Sequence, residues 1–542
     1  MVVAVISTPV GAQTATSRPP AVLSEIGSVT EDRERLVRLR EPDSGGTGFF
    51  KSLSSTPSIR TNLTRTGLKP QWTAVPPRVV FRRNAALPYS QNDGSLWAGR
   101  GSNVVVSGGI VLEWSRLRLL LVPEYVLAAN DSFNPPATPP NPVPRAERSP
   151  YSSPWHDNGQ SIDLPWRFGS GRVRQFLPGQ SSIALDAAYL TVGFSTENEW
   201  WGPGIRNALI LSNHAPGFTH AFIRTRDSWK TRVGSFRARW LVGWLDESAH
   251  FDTVSTNNVR AISMAGISWT PSGHPEIEIG IARSVYAPAS GRLDAMSAGL
   301  NVLLGVGHPN ARPYTDTSRT PGRDQLLSFF GRWTFPKDGL EAYAEWARSE
   351  FPRSLREFLT YPNHSQGYTL GMQWLSDSIG RGARIRAQAE ATYLEQSTTY
   401  RFLPIGSWYT SRAVVQGYTN RGQALGASIG PGSSAQFLAV DYVRPTWRLG
   451  GYLNRIRWLE DAHSQQAYPN LPSGTRGWCE HDVSLLHGVR GAAHSRFGDV
   501  ALDYSTGWRL NVFFENNGPC PISPGRDQKN RSLSLVVRPA GF

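Results

Sequence analysis

The run STENEWWGPGIRNALILSNHAPGF, residues 195–218, holds the densest group of side chains able to do chemistry. Glu197 and Glu199 stand either side of Asn198. In an extended strand they share a face, with carboxyls about 6–8 Å apart, near the separation of an inverting glycosidase pair. His214 can serve such a pair as acid or base. Ser212 and His214 suggest a hydrolase dyad, but no orienting partner singles them out. Trp200, Trp201, Arg206, Asn207, Asn213 and His214 form a different set. Flat aromatic faces pack on the apolar face of a sugar ring, and planar amide and guanidinium groups pair with hydroxyls or carboxylates. A segment upstream, LPYSQNDGSLWAGRGSN (87–103), adds Asp93, Trp97 and Arg100 to these polysaccharide-binding candidates. An architectural reading competes with both. Gly202-Pro203-Gly204 fixes a tight turn, and Trp200 to Arg206 then serve to anchor a folded-in loop. Paired acids recur at Glu276 and Glu278 without other site features, so Glu197 and Glu199 are expected to be lumen charges. Sugar binding is the stronger of the two chemical readings, catalysis the weaker, and no metal-ligand pattern stands out.

The elements that position these residues have a period of two. In ARIRAQAEATYL (383–394), Ala383, Ile385, Ala387, Ala389, Ala391 and Tyr393 point one way, and Arg384, Arg386, Gln388, Glu390 and Thr392 the other. EIEIGIA (276–282), SFRARW (235–240), YLNRIRWLE (452–460) and DVALDY (499–504) repeat the pattern. About eighteen such segments run from near residue 77 to the end of the chain. Long Arg and Glu side chains on the polar face suit a wet lumen. Trp114, Trp269, Trp333, Trp346, Trp374, Trp447, Trp458 and Trp508 lie near segment ends, where a membrane–water boundary accommodates both ring and N–H. The predicted fold is an all-β transmembrane barrel, antiparallel, of about 18 strands. Pro-, Gly- and Ser-rich stretches at 131–159, 306–324 and 400–434 predict long loops folding over or into the lumen. An aqueous channel for saccharides is the alternative function such a barrel allows.

Composition agrees. The 542 residues include 52 Gly, 40 Pro and 19 Trp, with 18% charged residues, which suits many strands and turns rather than a coiled coil or a disordered chain. The net charge of +14 comes mostly from Arg spread along the chain. With no zinc-finger spacing, phosphate-binding loop or aromatic RNA-binding signature, nucleic acid is not an expected partner. Dispersed Arg fits anionic lipid headgroups or an anionic polysaccharide better.

The ends carry further signals. MVVAVISTPVGAQ resembles the end of a secretory signal, with residues 1–12 removed after Ala12. Residues 13–76 form a small N-terminal periplasmic segment, helical over 28–41, where Ser28 and Glu31 have capping-box form and Leu36, Val37 and Leu39 make an apolar side. A second short helix is predicted near 46–55. The barrel proper is 77–542. Cys479 and Cys520 suit either one disulfide in an exported protein or two unrelated thiols. The closing SLSLVVRPAGF, with its terminal Phe542, is similar to the assembly signal of outer-membrane barrels.

The Glu-Asn-x-Trp-Trp-Gly-Pro-Gly run resembles the signature of the Wzi family of capsule-assembly outer-membrane proteins. So do residues 87–103 with VVVSGGIVLEW and LRLLLVPEY after them, and IDLPWRFGS (162–170) with PGQSSIAL (178–185). The motifs span roughly 85–225. The resemblance implies an eighteen-stranded outer-membrane barrel with a helical periplasmic part. It implies a lectin role, in which the protein binds capsular or related polysaccharide at the surface of a Gram-negative cell and keeps it attached, with neither a catalytic residue nor a cofactor. Outer-membrane lipid and lipopolysaccharide are the expected surroundings, and the expected state is a monomer.

Overall fold

The computed structural model describes residues 24–42, 48–55, 70–135, 148–153, 161–303, 322–352, 354–401, 405–465, 481–514 and 526–540. The signal-like residues 1–12, Cys479, Cys520 and Phe542 lie outside them.

Eighteen antiparallel strands close into one barrel. The first, Gln71–Asn84, pairs with Gly101–Trp114 on one side and with the last, Gln528–Pro539, on the other. Closure removes the exposed sheet edges that an open sheet of this size would present. The barrel begins at Gln71, ahead of the change of period at residue 77. Pro76 and Pro77 have no N–H to give the ladder, so the register shifts between Val75 and Arg78 and the strand continues past them.

Alternation holds as the sequence predicts. In Arg384–Tyr393, Arg386, Gln388 and Glu390 are buried inside, while Ile385 is exposed outside. The outer face carries an apolar belt that includes Leu438, Val440, Leu449, Leu453 and Val489. Of the tryptophans near segment ends, Trp114, Trp333, Trp374, Trp447 and Trp508 are exposed. Trp269, Trp346 and Trp458 instead donate to Val233 O, Gln366 Oε1 and Ser484 Oγ. Short connections, such as Ser115–Arg116 and Arg496–Phe497, all lie at the end where the first strand begins. The long connections lie at the other, the arrangement of membrane barrels with one elaborated face. These are the short-turn end and the long-loop end.

Loops enter the lumen as the sequence predicts, but they leave it an apolar core and not a wet interior. Residues 196–218 and 405–433 fold inward and pack there with inward wall residues. Trp201, Leu209, Ile210, Leu211, Trp408, Tyr409, Tyr418 and Leu425 join Phe222, Leu241, Met264 and Phe330 in one buried apolar cluster. Such burial stabilises by about 1.5–3 kcal/mol per large side chain. The long Arg and Glu of the polar wall face are therefore not mainly solvated. They are consumed by the inserted segments.

One such segment is helix α1, Val29–Arg40. Ser28 caps it, its Oγ accepting from Glu31 N at 3.1 Å, as the capping-box reading predicts. Leu36 and Leu39 pack against Leu375, but Val37 is 51% exposed, so the apolar side is narrower than the sequence suggests. Buried arginines complete the seat. Arg35 pairs with Glu341 of the wall and donates to Pro203 O at 2.8 Å. Asp32 pairs with Arg386 and Arg448. The helix thus sits in the barrel mouth at the short-turn end. Over 48–55, the described part of the second helix predicted near 46–55, no α-helix forms. Phe50–Ser52 is a strand followed by a 3-10 turn at Leu53–Ser55. It pairs with Glu199–Trp201, which leaves its backbone no helical partners.

Candidate functional site

The motif of residues 195–218 is held from two sides. Its strand Glu199–Trp201 pairs with Phe50–Ser52, and Phe50 meets Trp201 edge-on at 5.0 Å. After the Gly202-Pro203-Gly204 turn, three successive backbone N–H groups converge on one wall carboxylate. Ile205 N, Arg206 N and Asn207 N donate to Glu390 at 2.7, 3.0 and 2.8 Å, and Tyr343 Oη adds a fourth bond at 2.7 Å. Glu345 repeats the device, accepting from Leu209 N at 3.1 Å and Ser328 Oγ at 2.8 Å. A Cβ at Gly202, where φ is +125°, would sit 2.9 Å from Glu345 Oε2, so only glycine fits.

The two acids of the motif do not act as a pair. Glu197 accepts from Ser54 Oγ at 2.7 Å and Ser182 Oγ at 2.9 Å. Glu199 is ion-paired to Arg239 and bonded to His220 Nε2 at 3.0 Å and Trp201 Nε1 at 2.7 Å. Burial raises the Glu199 carboxyl, but Arg239 and His220 outweigh it and hold it down at about 2. Ser212 Oγ donates to Gly426 O at 2.5 Å and accepts from His214 N. The His214 ring is turned to Asn92, whose backbone N–H it accepts at 3.4 Å through Nδ1. Burial, and then Arg82, push this imidazole down to about 4, so it is neutral at pH 7. The geometry spends these groups on holding the loop.

The sugar-binding candidates divide between two places. Asp93, Trp200, Arg206 and Asn213 line an interior cavity of about 310 Å³ between α1, the motif loop and the wall. Asp93 pairs with Arg82 at 2.7 Å and accepts from Ser90 Oγ, while burial raises its carboxyl. Arg206 lies over Phe437 at 4.5 Å and donates to Gln91 at 2.8 Å. Trp201 is fully buried and Asn207 nearly so, its Oδ1 accepting from Ser428 Oγ. Both faces of the Trp201 ring are occupied by protein.

Trp97 and Arg100 lie elsewhere, at the long-loop end, and there the structure assembles something the sequence does not show. Trp97 meets Phe168 at 4.9 Å, and Phe168 meets His250 at 5.8 Å. His250 meets Tyr151 at 5.8 Å, Tyr151 meets Trp166 at 5.7 Å, and Trp166 meets Phe133 at 5.6 Å. Phe133 stacks on Phe513 at 6.4 Å. All but Phe168 are half-buried, with part of the ring open to water. Phe513 stands in a left-handed conformation, φ 58°, with Asn511 and Phe514 on either side of it likewise left-handed. Each such residue costs about 1–3 kcal/mol and persists only where its surroundings enforce it.

The row is rigidly braced. Arg100 donates to Ser132 O, and Arg526 donates to Asn134 O at 2.9 Å. Arg167 donates to Asn130 O at 2.8 Å, and Asn130 Nδ2 donates in turn to the carbonyls of Phe168, Gly169 and Gly171. The seven rings come from four separate connections, so no spacing announces them. Trp97 alone is a candidate by sequence, while Trp166 and Phe168 stand in the IDLPWRFGS run without being singled out.

No family model matches the sequence, and no curated protein matches it. Solved structures do. A BenF-like porin from Pseudomonas fluorescens Pf-5 aligns over 88% of this chain and 100% of its own, at 8% identity and a TM-score of 0.40. Wzi of Escherichia coli is described as an outer membrane protein involved in group 1 capsule assembly and a carbohydrate-binding β-barrel. It aligns over 89% of this chain and 86% of its own, at 12% identity and a TM-score of 0.51. That likeness is one of fold, and the chain is a closed barrel of outer-membrane type.

Proposed function

We propose that this protein is a monomeric outer-membrane barrel of the Wzi kind, which binds capsular or related surface polysaccharide at its long-loop end and helps keep it attached. The braced row from Trp97 to Phe513 carries this reading. Partly exposed rings on rigid loops offer sugar faces an apolar contact at low entropic cost. The packed lumen supports it, because a barrel filled by its own loops offers its outer loops, not a channel, as the working face. The sugar-binding function of the Wzi barrel, similar in fold, points the same way. Binding, not catalysis, is the activity proposed, since Glu197 and Glu199 are engaged in the fold.

The test is a deletion strain complemented with the wild type or with Tyr151→Ala/Trp166→Ala. The deletion strain is expected to shed polymer into the medium, the wild type to retain it, and the double variant to shed it despite normal barrel assembly. Normal retention by the deletion strain would sink the proposal. Incubation of the protein with purified polymer is expected to release no reducing ends.

A further inference from the structure

Two segments of the long-loop end do not project from the barrel. They lie against the outside of its wall. Leu241 and Met264 belong to the interior core, so the alternate residues Trp240, Val242, Ser263 and Ala265 of the strands Gly234–Asp246 and Val259–Pro271 face outward. Val285, opposite Ser263, does the same. Outward residues of this barrel are mostly exposed, yet Ser263 and Val285 are each 1% exposed. The cover is the helix Arg292–Ser297 with the 3-10 turn Ala298–Leu303. Gly299 O accepts from Ser263 Oγ at 2.7 Å and from Trp240 Nε1 at 3.0 Å. Ala295 packs on Ala261 and Ala289, and Val302 packs on Val285. Arg283, also on the outward face, donates to Val302 O at 2.8 Å. Two strands on, outward Arg348 is ion-paired to Glu357 and lies over Phe358 at 5.4 Å. That clamps the helix Leu355–Thr360 to the wall in the same way.

The outer side of this shelf is apolar. Leu293 is 90% exposed and Leu355 73%, and Leu300, Leu303 and Leu359 are exposed as well. Arg292 and Arg356 are exposed among them, with Arg292 3.6 Å from Asp246 and over the Trp244 ring. Depth is set by the wall. The shelf helices follow directly on the long-loop ends of their strands, Ala289 and Ser349. That puts the shelf at the headgroup level of the leaflet on the long-loop side. Short helices with leucines on one side and arginines among them lie in that plane.

We propose that the shelf binds the phosphorylated glycolipid of the outer leaflet, a lipid A-type molecule, with the leucines among its acyl chains and Arg292 and Arg356 on its phosphates. This rests on the outer-membrane placement and not on the sugar-binding reading. The experiment measures retention of radiolabelled lipid A by the full chain purified in a zwitterionic detergent. Arg292→Gln and Arg356→Gln are each expected to weaken retention about fivefold. Leu293→Ser/Leu300→Ser/Leu359→Ser is expected to reduce it with the heat-dependent gel mobility of the barrel unchanged. Equal retention by the wild type and every variant overturns the proposal. So does a dimer in sedimentation that the leucine variant dissociates, since a second copy then covers the shelf. A wild-type chain with the same mobility before and after boiling overturns the membrane placement and the shelf with it. Loss of polymer attachment with lipid A still bound supports the shelf and leaves the two readings separate.

Discussion

At the scale of single residues, the chemistry-rich motif turns out to be a set of buried electrostatic closures. Glu390 is the clearest. One carboxylate satisfies three backbone donors that the Gly202-Pro203-Gly204 turn leaves unpaired. Leaving a buried donor unsatisfied costs about 1–3 kcal/mol. Glu390→Ala is therefore expected to lower the temperature of heat-induced mobility change by several degrees, with Glu390→Gln intermediate; unchanged temperatures would refute the clamp. Acid should act in two stages. His214 is neutral in the fold, with its imidazole at about 4 against an ordinary 6.5, so its contribution is complete above pH 6.5 and is lost as pH falls toward 4. Glu199, at about 2 against an ordinary 4.5, contributes fully above pH 4.5 and loses that between 4.5 and 2. His214→Asn is expected to abolish the first stage and leave the second, followed as unfolding temperature against pH.

At the scale of elements, α1 is seated by charge more than by apolar area. Only Leu36 and Leu39 pack into the apolar seat at the mouth, while Asp32 bridges Arg386 and Arg448. Removing one partner of a largely buried ion pair costs about 3–5 kcal/mol, because the other is left unpaired. Asp32→Asn is expected to free the helix and expose it to protease within residues 29–40, with the barrel still heat-modifiable. Val37→Ala, at an exposed position, should do neither. Strand alternation and the Ser28 cap were legible because both depend on neighbours in sequence. The strand at Phe50–Ser52 was not, because its partner, Glu199–Trp201, is distant in the chain.

At the scale of the whole molecule, the inserted loops change what the barrel can do. An eighteen-stranded barrel of this kind can enclose water. Here the middle of the lumen is an apolar core that includes Trp201, Trp408 and Met264. The purified chain in planar bilayers is expected to give no steady conductance steps, and porin-like steps would contradict the packed lumen. Trp201→Ala should cost about 3–5 kcal/mol by leaving a cavity in that core. It is expected to lower the heat-modification temperature more than any change on the lipid face.

The sequence by itself determined the barrel. A period of two, tryptophans at strand ends and short turns are local consequences of pleat and bilayer thickness, so they can be read one segment at a time. It also located the motif as the place where the chain departs from that period. Only the tertiary structure decided what the motif is for. Glu197 and Glu199 share a short stretch of chain but take separate partners, Ser54 and Ser182 for one, Arg239 and His220 for the other. Likewise, the aromatic row and the outer shelf are built from loops far apart in the chain, brought together by closure of the sheet. Side-chain pairing across a closed barrel depends on register around the whole ring, and no local pattern encodes that.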